Sequence, residues 1–398
     1  MNLLAVSTWF PWPPDNGAKL RAYYLLRELG KRHRVTLLTF CDDGEPASGR
    51  LAPLTEFCGS VEVVPGAAFH QGALTRRGLL SGMPRAYVQG FSPDMMARVR
   101  AALPGHDAAV AFQITSGLYF RQVTSLPVVL EEAEVVVIRD QYASETRWVR
   151  KARRGLTWWK YSRFVRELCG RAVCTTVVSE TERQILERIG CDPRRLAVVP
   201  NGVDASDLDW PRGAVTERLI YPGSLTYFAN RDAVQWFLES TLPLVHRARP
   251  DVDFWVTGAT GPEPLPGTGP EARLILTGHL PDVRPAVAGS AICVVPLRVG
   301  GGTRLKILQA MALGTPVVAT SKGAEGLDVT PGRDILIGDT PETFASHVLG
   351  LLSDRRLADN MAAAARALVR NRYTWTRSGA VLDDALRRAV SAWKARIA

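Results

Sequence analysis

Residues 295–327 read VPLRVGGGTRLKILQAMALGTPVVATSKGAEGL: an apolar strand, three glycines, two cations, an amphipathic helix and a second strand. Gly300, Gly301 and Gly302 carry no Cβ where backbone must pass close to a ligand, and the helix that follows presents unpaired N–H groups and the positive end of its dipole. Such an end attracts an anion. Arg304 and Lys306 fall in the first helical turn, where a cation opposes the dipole unless a negative group lies nearby. The helix, predicted over residues 303–313, puts Leu305, Ile307, Leu308, Met311 and Ala312 on its buried side and stops at Gly314, a natural residue beyond a helix end. Pro316 then opens a strand at 317–320. Taken alone, a glycine run before a helix is also an ordinary tight turn, and neither a Walker A sequence nor G-x-G-x-x-G is present.

The same alternation extends in both directions. Strand candidates at 3–7, 35–40, 61–64, 108–112 and 128–130 alternate with helical patterns at 19–31 and 93–103. The second half repeats the scheme, with strands at 219–221, 254–257, 274–277, 291–296, 317–320 and 335–337. Its helices run from 231 toward 247 and over 303–313, 342–352 and 355–371, and a Pro/Gly loop is read at 261–270. Alternation of this kind gives an α/β fold of parallel sheets with helices on both faces. At 398 residues the chain exceeds what one core supports. Two Rossmann-like domains facing a central cleft are expected, with ligands at the carboxyl ends of the strands.

Composition excludes other classes. With 46% hydrophobic and 22% charged residues the chain is globular. No apolar run approaches the ~18 to 20 residues of a membrane-spanning helix. The N-terminus MNLLAVSTWFPWPP lacks a basic leader region and reads as a buried strand, so a cytoplasmic location is expected. Six cysteines with no C-x-x-C pair suit reduced core thiols, and no metal site is expected from them.

The net charge of +10 is uneven: residues 1–200 hold 27 Lys and Arg against 19 Asp and Glu, and residues 201–398 hold 22 against 20. Much of the excess lies at 147–163, RWVRKARRGLTWWKYSR, where cations alternate with aromatic rings. This pattern suits an anionic membrane surface, as a peripheral protein on the inner face. It is also the pattern of a solvated basic helix, and no nucleic-acid-binding motif accompanies it, so no nucleic-acid partner is expected.

The pattern PL-x-x-GGGTRLKIL-x-AMA-x-G-x-PVV-x-T-x-x-GAEGL resembles the nucleotide-sugar-binding segment of family-4-type retaining glycosyltransferases with the GT-B fold. FPWPPDNGAKLRAYYLLRELGKRHRVTLL at 10–38, VVPNGVD at 198–204, IYPGSL at 220–225 with Asn230 and Asp232, and LTGHLPDV at 276–283 resemble the same family at compatible positions. The resemblance implies an N-terminal acceptor domain over 1–200, a nucleotide-sugar domain over 201–375, and a helix at 376–398 crossing back to the first domain. It implies a donor site of Gly17, Asn201, Gly223, Ser224, Gly301, Gly302, Thr303, Leu305 and Gln309. By itself, Asp15-Asn16-Gly17 is only a turn signal.

Sugar transfer from a nucleotide diphosphate needs charge stabilisation on the departing phosphate, since charge develops there in the transition state. Arg304 and Lys306 are the catalytic candidates, all the more because the Arg and Lys that many relatives carry after the Gly223 equivalent are replaced by Ser224-Leu225-Thr226-Tyr227-Phe228. The family's E-x7-E falls on Gly301 and Gln309. A glutamine still accepts a hydrogen bond from a ribose hydroxyl but loses the charge assistance, so Gln309→Glu is expected to preserve or tighten nucleotide binding. For an acceptor, Gln113 after the strand at 108–112, and Glu131, Glu132 and Glu134 after that at 128–130, are candidates for orientation or general base; a solvated acidic loop is the plainer reading.

The expected activity is transfer of a sugar to a glycan, lipid-linked or small-molecule acceptor, with retention and without a metal or other cofactor, both from the resemblance. A nucleotide-sugar 2-epimerase of the same fold and a noncatalytic nucleotide-sugar-binding protein are the alternatives.

Overall fold

The computed structural model describes residues 1–41, 48–65, 82–84, 87, 90–261, 265, 273–302 and 304–397. Two compact units result: Met1–Pro200 with Trp375–Ala398, and Asn201–Thr374. Thr303 and most of the 261–270 loop lie outside the described residues.

The first unit holds a parallel sheet of seven strands, β1 (Asn2–Ser7), β2 (Arg34–Cys41), β3 (Ser60–Pro65), β4 (Ala108–Phe112), β5 (Val128–Glu131), β6 (Cys174–Val177) and β7 (Leu196–Val198), in the order β3-β2-β1-β4-β5-β6-β7. Apart from Asn2, β1 is buried along its whole length, as is all of β4, which is why these strands read as continuous apolar runs and not as alternations. Register pairs Ser7 with Phe112 and Phe112 with Glu131. The chain therefore builds outward from β1 to β3, returns to the other side of β1 at β4, and continues to β7. Open parallel sheets of this order receive ligands at such a reversal, here beyond the carboxyl ends of β1 and β4.

The terminal helix Trp375–Ile397 belongs to this first unit. Trp375 is buried and its ring stacks on Tyr24 of the helix Gly17–Gly30, centroids 5.3 Å apart. Asp383 binds His33 at 2.7 Å and Arg32 at 3.2 Å. Burial of the His33 ring lowers its pKa against the opposing pull of Asp383.

The second unit carries β8 (Thr216–Pro222), β9 (Asp253–Thr257), β10 (Leu274–Gly278), β11 (Ser290–Val295), β12 (Val317–Ala319) and β13 (Leu336–Ile337), parallel throughout, in the order β10-β9-β8-β11-β12-β13. Its reversal falls between β8 and β11. The helical stretch expected from 231 toward 247 is interrupted: Phe228–Trp236 passes through a widened turn at Phe237–Thr241 before Leu242–Ala248. Pro243 lacks the N–H that a regular turn needs there. All six cysteines are buried and none is disulfide-bonded. The architecture is the α/β, GT-B type, with two doubly wound parallel sheets.

Candidate functional site

In the second unit, the functional side chains gather at the β8/β11 reversal. The glycine loop after β11 leads into the helix Leu305–Ala312, with Arg304 as its cap residue. The helix closes on Gly314 at φ 77°, where Thr315 N–H donates to the Ala310 carbonyl at 2.9 Å. Gly300 sits at φ 103°, a backbone conformation that a side chain would strain.

The two cations separate in role. Arg304 is 7% exposed and turns back onto its own loop, donating Nη2 to the Gly300 carbonyl at 3.0 Å and Nη1 to the Gly301 carbonyl. It braces the glycine loop and leaves its positive field there. Lys306, half-buried in the first turn of the helix, extends Nζ to Asn230 Oδ1 at 3.0 Å and over the Tyr221 ring at 3.9 Å from its centroid. Tyr221 closes this triangle by donating its hydroxyl to Asn230 Oδ1 at 2.6 Å, and Asn230 Nδ2 donates to the Ser224 carbonyl at 2.7 Å. A Cβ on Gly223 would stand 2.6 Å from Lys306 Nζ, so glycine at the end of β8 is what lets the ammonium reach the crevice. Burial pushes the lysine down to about 7, with Arg304 adding repulsion. An ammonium at that balance gains from an arriving anion.

Gln309, one turn beyond Lys306, is half-buried and hydrogen-bonds Asp207. Asp207 lies in the short helix Ala205–Leu208, which packs on Leu305–Ala312. Its carboxyl is pushed up to about 6 by burial, against the pull of Arg284 and the Gln309 hydrogen bond; Asp204 and Asp282 push it up further. Arg284 lies 3.9 Å from Asp207 but is held closer by Asp282, at 2.8 Å. This contact reverses the expectation for Gln309→Glu. A glutamate there would face a carboxylate already short of positive charge.

The other residues expected on this side are placed as follows. Asn201 is buried at the start of the second unit. Ser224 Oγ is tied to the Ala259 carbonyl at 3.1 Å and to Thr226 Oγ1 at 2.7 Å. Gly302 has φ 75°, and Leu305 opens the helix. Gly17, exposed in the first unit, opens the helix Gly17–Gly30, which Asn16 caps by accepting from Lys19 N–H.

The first unit has its own polar group at its reversal. Gln113 follows β4 and Glu132 follows β5, and both lie in the left-handed region, at φ 60° and 61°. Thr8, just beyond β1, donates to Gln113 Oε1 at 3.1 Å and lies 3.0 Å from Thr115 Oγ1. Glu131, by contrast, is fully buried. It accepts from Arg21 Nε at 2.9 Å, while Arg21 also donates to the Val199 carbonyl at 2.9 Å. The expectation that Glu131 faces an acceptor is corrected: it ties the helix Gly17–Gly30 to the sheet. Glu134 is exposed. Among the described residues no group of three or more His, Cys, Asp or Glu is arranged to hold a metal ion.

Sequence reasoning missed Tyr221, Asp207 and Thr8. A tyrosine in an apolar strand and an acid in a loop carry no signal of their own. Only β-sheet order brings Thr8 to Gln113, which lies 105 residues away.

Two doubly wound parallel sheets, one followed by a glycine loop and a helix N-terminus, give the fold of the GT-B type. Two family models match in tandem, Glycosyltransferase Family 4 over residues 15–207 and Glycosyl transferases group 1 over residues 216–354, and the chain belongs to this family. Among curated proteins it is similar to a D-inositol 3-phosphate glycosyltransferase of Paenarthrobacter aurescens, 29% identical over 52% of this chain and 55% of that protein. It is 30% identical to an MMP alpha-(1->4)-mannosyltransferase of Mycolicibacterium hassiacum, over 46% and 47%, and 27% identical to an uncharacterised protein of the Klebsiella pneumoniae cps region, over 33% and 36%. The chain thus spans between about a third and about half the length of the curated relatives it matches. In fold it is similar to HepE of Anabaena, solved with UDP, with TM-score 0.72 at 15% identity over 98% of this chain and 100% of that one. The lipopolysaccharide glycosyltransferase WaaG gives 0.65 at 14%, over 96% and 99%.

Proposed function

We propose that the protein transfers a sugar from a nucleotide diphosphate to a hydroxyl acceptor, with retention and without a metal. The donor diphosphate lies over the N-terminus of the helix Leu305–Ala312 against Lys306. The observation that carries this is the Lys306 ammonium, held by Asn230 and Tyr221 beside Gly223 at the strand-order reversal. Developing negative charge on the departing phosphate meets that ammonium and the helix N–H groups. HepE, solved with UDP-glucose, makes uridine donors the first to try. Incubation with a panel of nucleotide sugars tests the reading. Slow donor hydrolysis supports a transferase, an isomerised donor points to a 2-epimerase, and binding without turnover points to a noncatalytic protein.

A second observation concerns where the enzyme works. The helix Trp148–Arg171 buries Tyr161, Phe164, Val165 and Leu168, while Trp148 (81% exposed), Val149, Leu156 and Trp159 (53%) share the outward face at helical spacing. Between Glu145 and Glu167 the sequence has eight Arg and Lys and no acid. So much positive charge disfavours a second copy of this face and favours an anionic bilayer, with the rings at the headgroup level and a glycan or lipid-linked acceptor in reach. No helix among the described residues is long and apolar enough to cross a membrane. Co-sedimentation with anionic liposomes at low salt, lost on Trp148→Ser with Trp159→Ser, is expected; no co-sedimentation refutes the docking.

A further inference from the structure

At the amino ends of β5, β6 and β7, away from the strand-order reversal, the first unit has a cavity of about 840 Å³. Residues 123–126 ahead of β5, the starts of β6 and β7, and the last turns of the helix Trp375–Ile397 line it. Its size is that of a small-molecule site. Arg171, Arg194, Arg195, Arg388 and Arg396 all face it, and no Asp or Glu is among its lining residues.

Guanidinium groups gathered in this way repel one another unless negative charge offsets them. The carboxylates around the cavity do so only in part. Glu167 lies 3.4 Å from Arg171 but is held closer by Arg121, at 2.7 Å. Asp192 is divided between Arg194 at 3.0 Å and Arg195 at 4.0 Å, and Asp384 lies 2.8 Å from Arg388. Three carboxylates therefore stand against six arginines. Arg195 is the most committed, donating Nη1 to the Gly170 carbonyl at 2.9 Å and the Ala172 carbonyl at 3.3 Å. Arg171 and Arg388 are more than half exposed, and ion pairs of such side chains hold them weakly, so both can turn to a ligand at little cost. Cys174 adds no negative charge, since burial pushes its thiol up to about 11 against the pull of Arg388. The remaining walls are apolar, with Leu126, Val173 and Ala389 beside the half-buried Trp393 ring.

We propose that this cavity binds a small molecule carrying a diphosphate, with its organic part against Trp393 and the apolar walls. The planar arginine fork grips paired phosphate oxygens, and several negative charges on neighbouring atoms answer the surplus of cations, which a neutral sugar or a lone carboxylate leaves standing. A concave cavity suits a discrete molecule better than the plane of a bilayer. The site belongs to the first unit and Lys306 to the second, so it stands whether or not the transferase reading does.

NMR of the full chain with isotope-labelled tryptophan indoles tests this, the Trp393 signal being assigned by its loss in Trp393→Phe. Sodium pyrophosphate is expected to move that signal saturably, and sodium chloride at matched ionic strength to leave it in place. Arg171→Ala with Arg388→Ala should weaken the pyrophosphate response at least about tenfold. UDP and geranyl diphosphate separate the sources: tighter binding of UDP assigns a nucleotide, tighter binding of geranyl diphosphate a lipid precursor, and equal binding of all three the diphosphate alone. A Trp393 signal that none of the three moves, a shift that sodium chloride reproduces, or a response unaltered in the double variant overturns the proposal. Arg396→Ala, in the last turn of the helix, takes the place of the double variant if that one unfolds.

Discussion

Raising the pH from 7 to 8.5 is expected to weaken nucleotide-sugar binding by about fifteenfold, through one group. Lys306 titrates near 7 in the free protein because its ammonium is buried against Tyr221 beside Arg304. A bound diphosphate favours the charged form and moves its pKa back toward the ordinary lysine value, so binding takes up a proton whenever the free lysine is neutral. Affinity is then proportional to the protonated fraction of the free protein, which falls from about one half at pH 7 to about 3% at pH 8.5. That ratio corresponds to about 1.6 kcal/mol, within the limit of 1.36 kcal/mol per pH unit. A nucleotide sugar is the right probe, because its diphosphate is a diester and stays fully ionised over this range. Titration calorimetry at pH 7.5 in two buffers of different ionisation enthalpy should show uptake of about 0.8 proton per complex, and Lys306→Met should abolish both the uptake and the slope. Affinity that is flat from pH 6 to 8.5, or a slope that survives Lys306→Met, refutes the reasoning.

Gln309→Glu is expected to weaken nucleotide binding about tenfold at pH 7, and adding Asp207→Asn to restore it, since the pair then carries one carboxylate again; fluorescence titration of the single and double variants checks the sign. Gly223→Ala sets a methyl 2.6 Å from Lys306 Nζ, the far end of a flexible side chain. The melting temperature should therefore hold while nucleotide affinity falls roughly tenfold, a split seen by comparing calorimetry with thermal denaturation. Lys306 has the opposite effect on stability. The unfolded chain binds its proton up to pH ~10.5 and the folded one only to about 7, so stability rises with pH across that window; Lys306→Met should raise the apo melting temperature at pH 7 while removing binding. Trp375→Ala, which empties a buried ring site against Tyr24, should cost the first unit about 3 to 5 kcal/mol in denaturant melts.

Most strands were legible because parallel sheets covered on both faces demand long apolar runs, and β1, β4 and β11 are such runs. Two were not: β6 and β7 are four and three residues long, and β6 places Thr175 and Thr176 in the core, where Thr176 serves Glu132 N–H and Glu131 instead of packing. At the β8/β11 reversal, glycines and cations at fixed offsets spell the glycine loop and the helix, so the placing of Arg304 and Lys306 at that helix start was legible from spacing. Their division of labour was not, because it depends on Gly223 and Asn230, some 80 residues earlier, leaving room for one cation and not the other. Glu131 and Glu132 are neighbours of identical type. Only the reversal of side-chain direction at the end of β5 makes one a buried tie to Arg21 and the other a group at the strand-order reversal.

The central claim, that the β8/β11 crevice holds the donor diphosphate, is tested most directly by a structure of the protein with UDP bound. The account predicts phosphate oxygens within hydrogen-bonding distance of Lys306 Nζ and of the first N–H groups of the helix Leu305–Ala312. UDP bound elsewhere, with Lys306 still closed onto Asn230 and Tyr221, would contradict it.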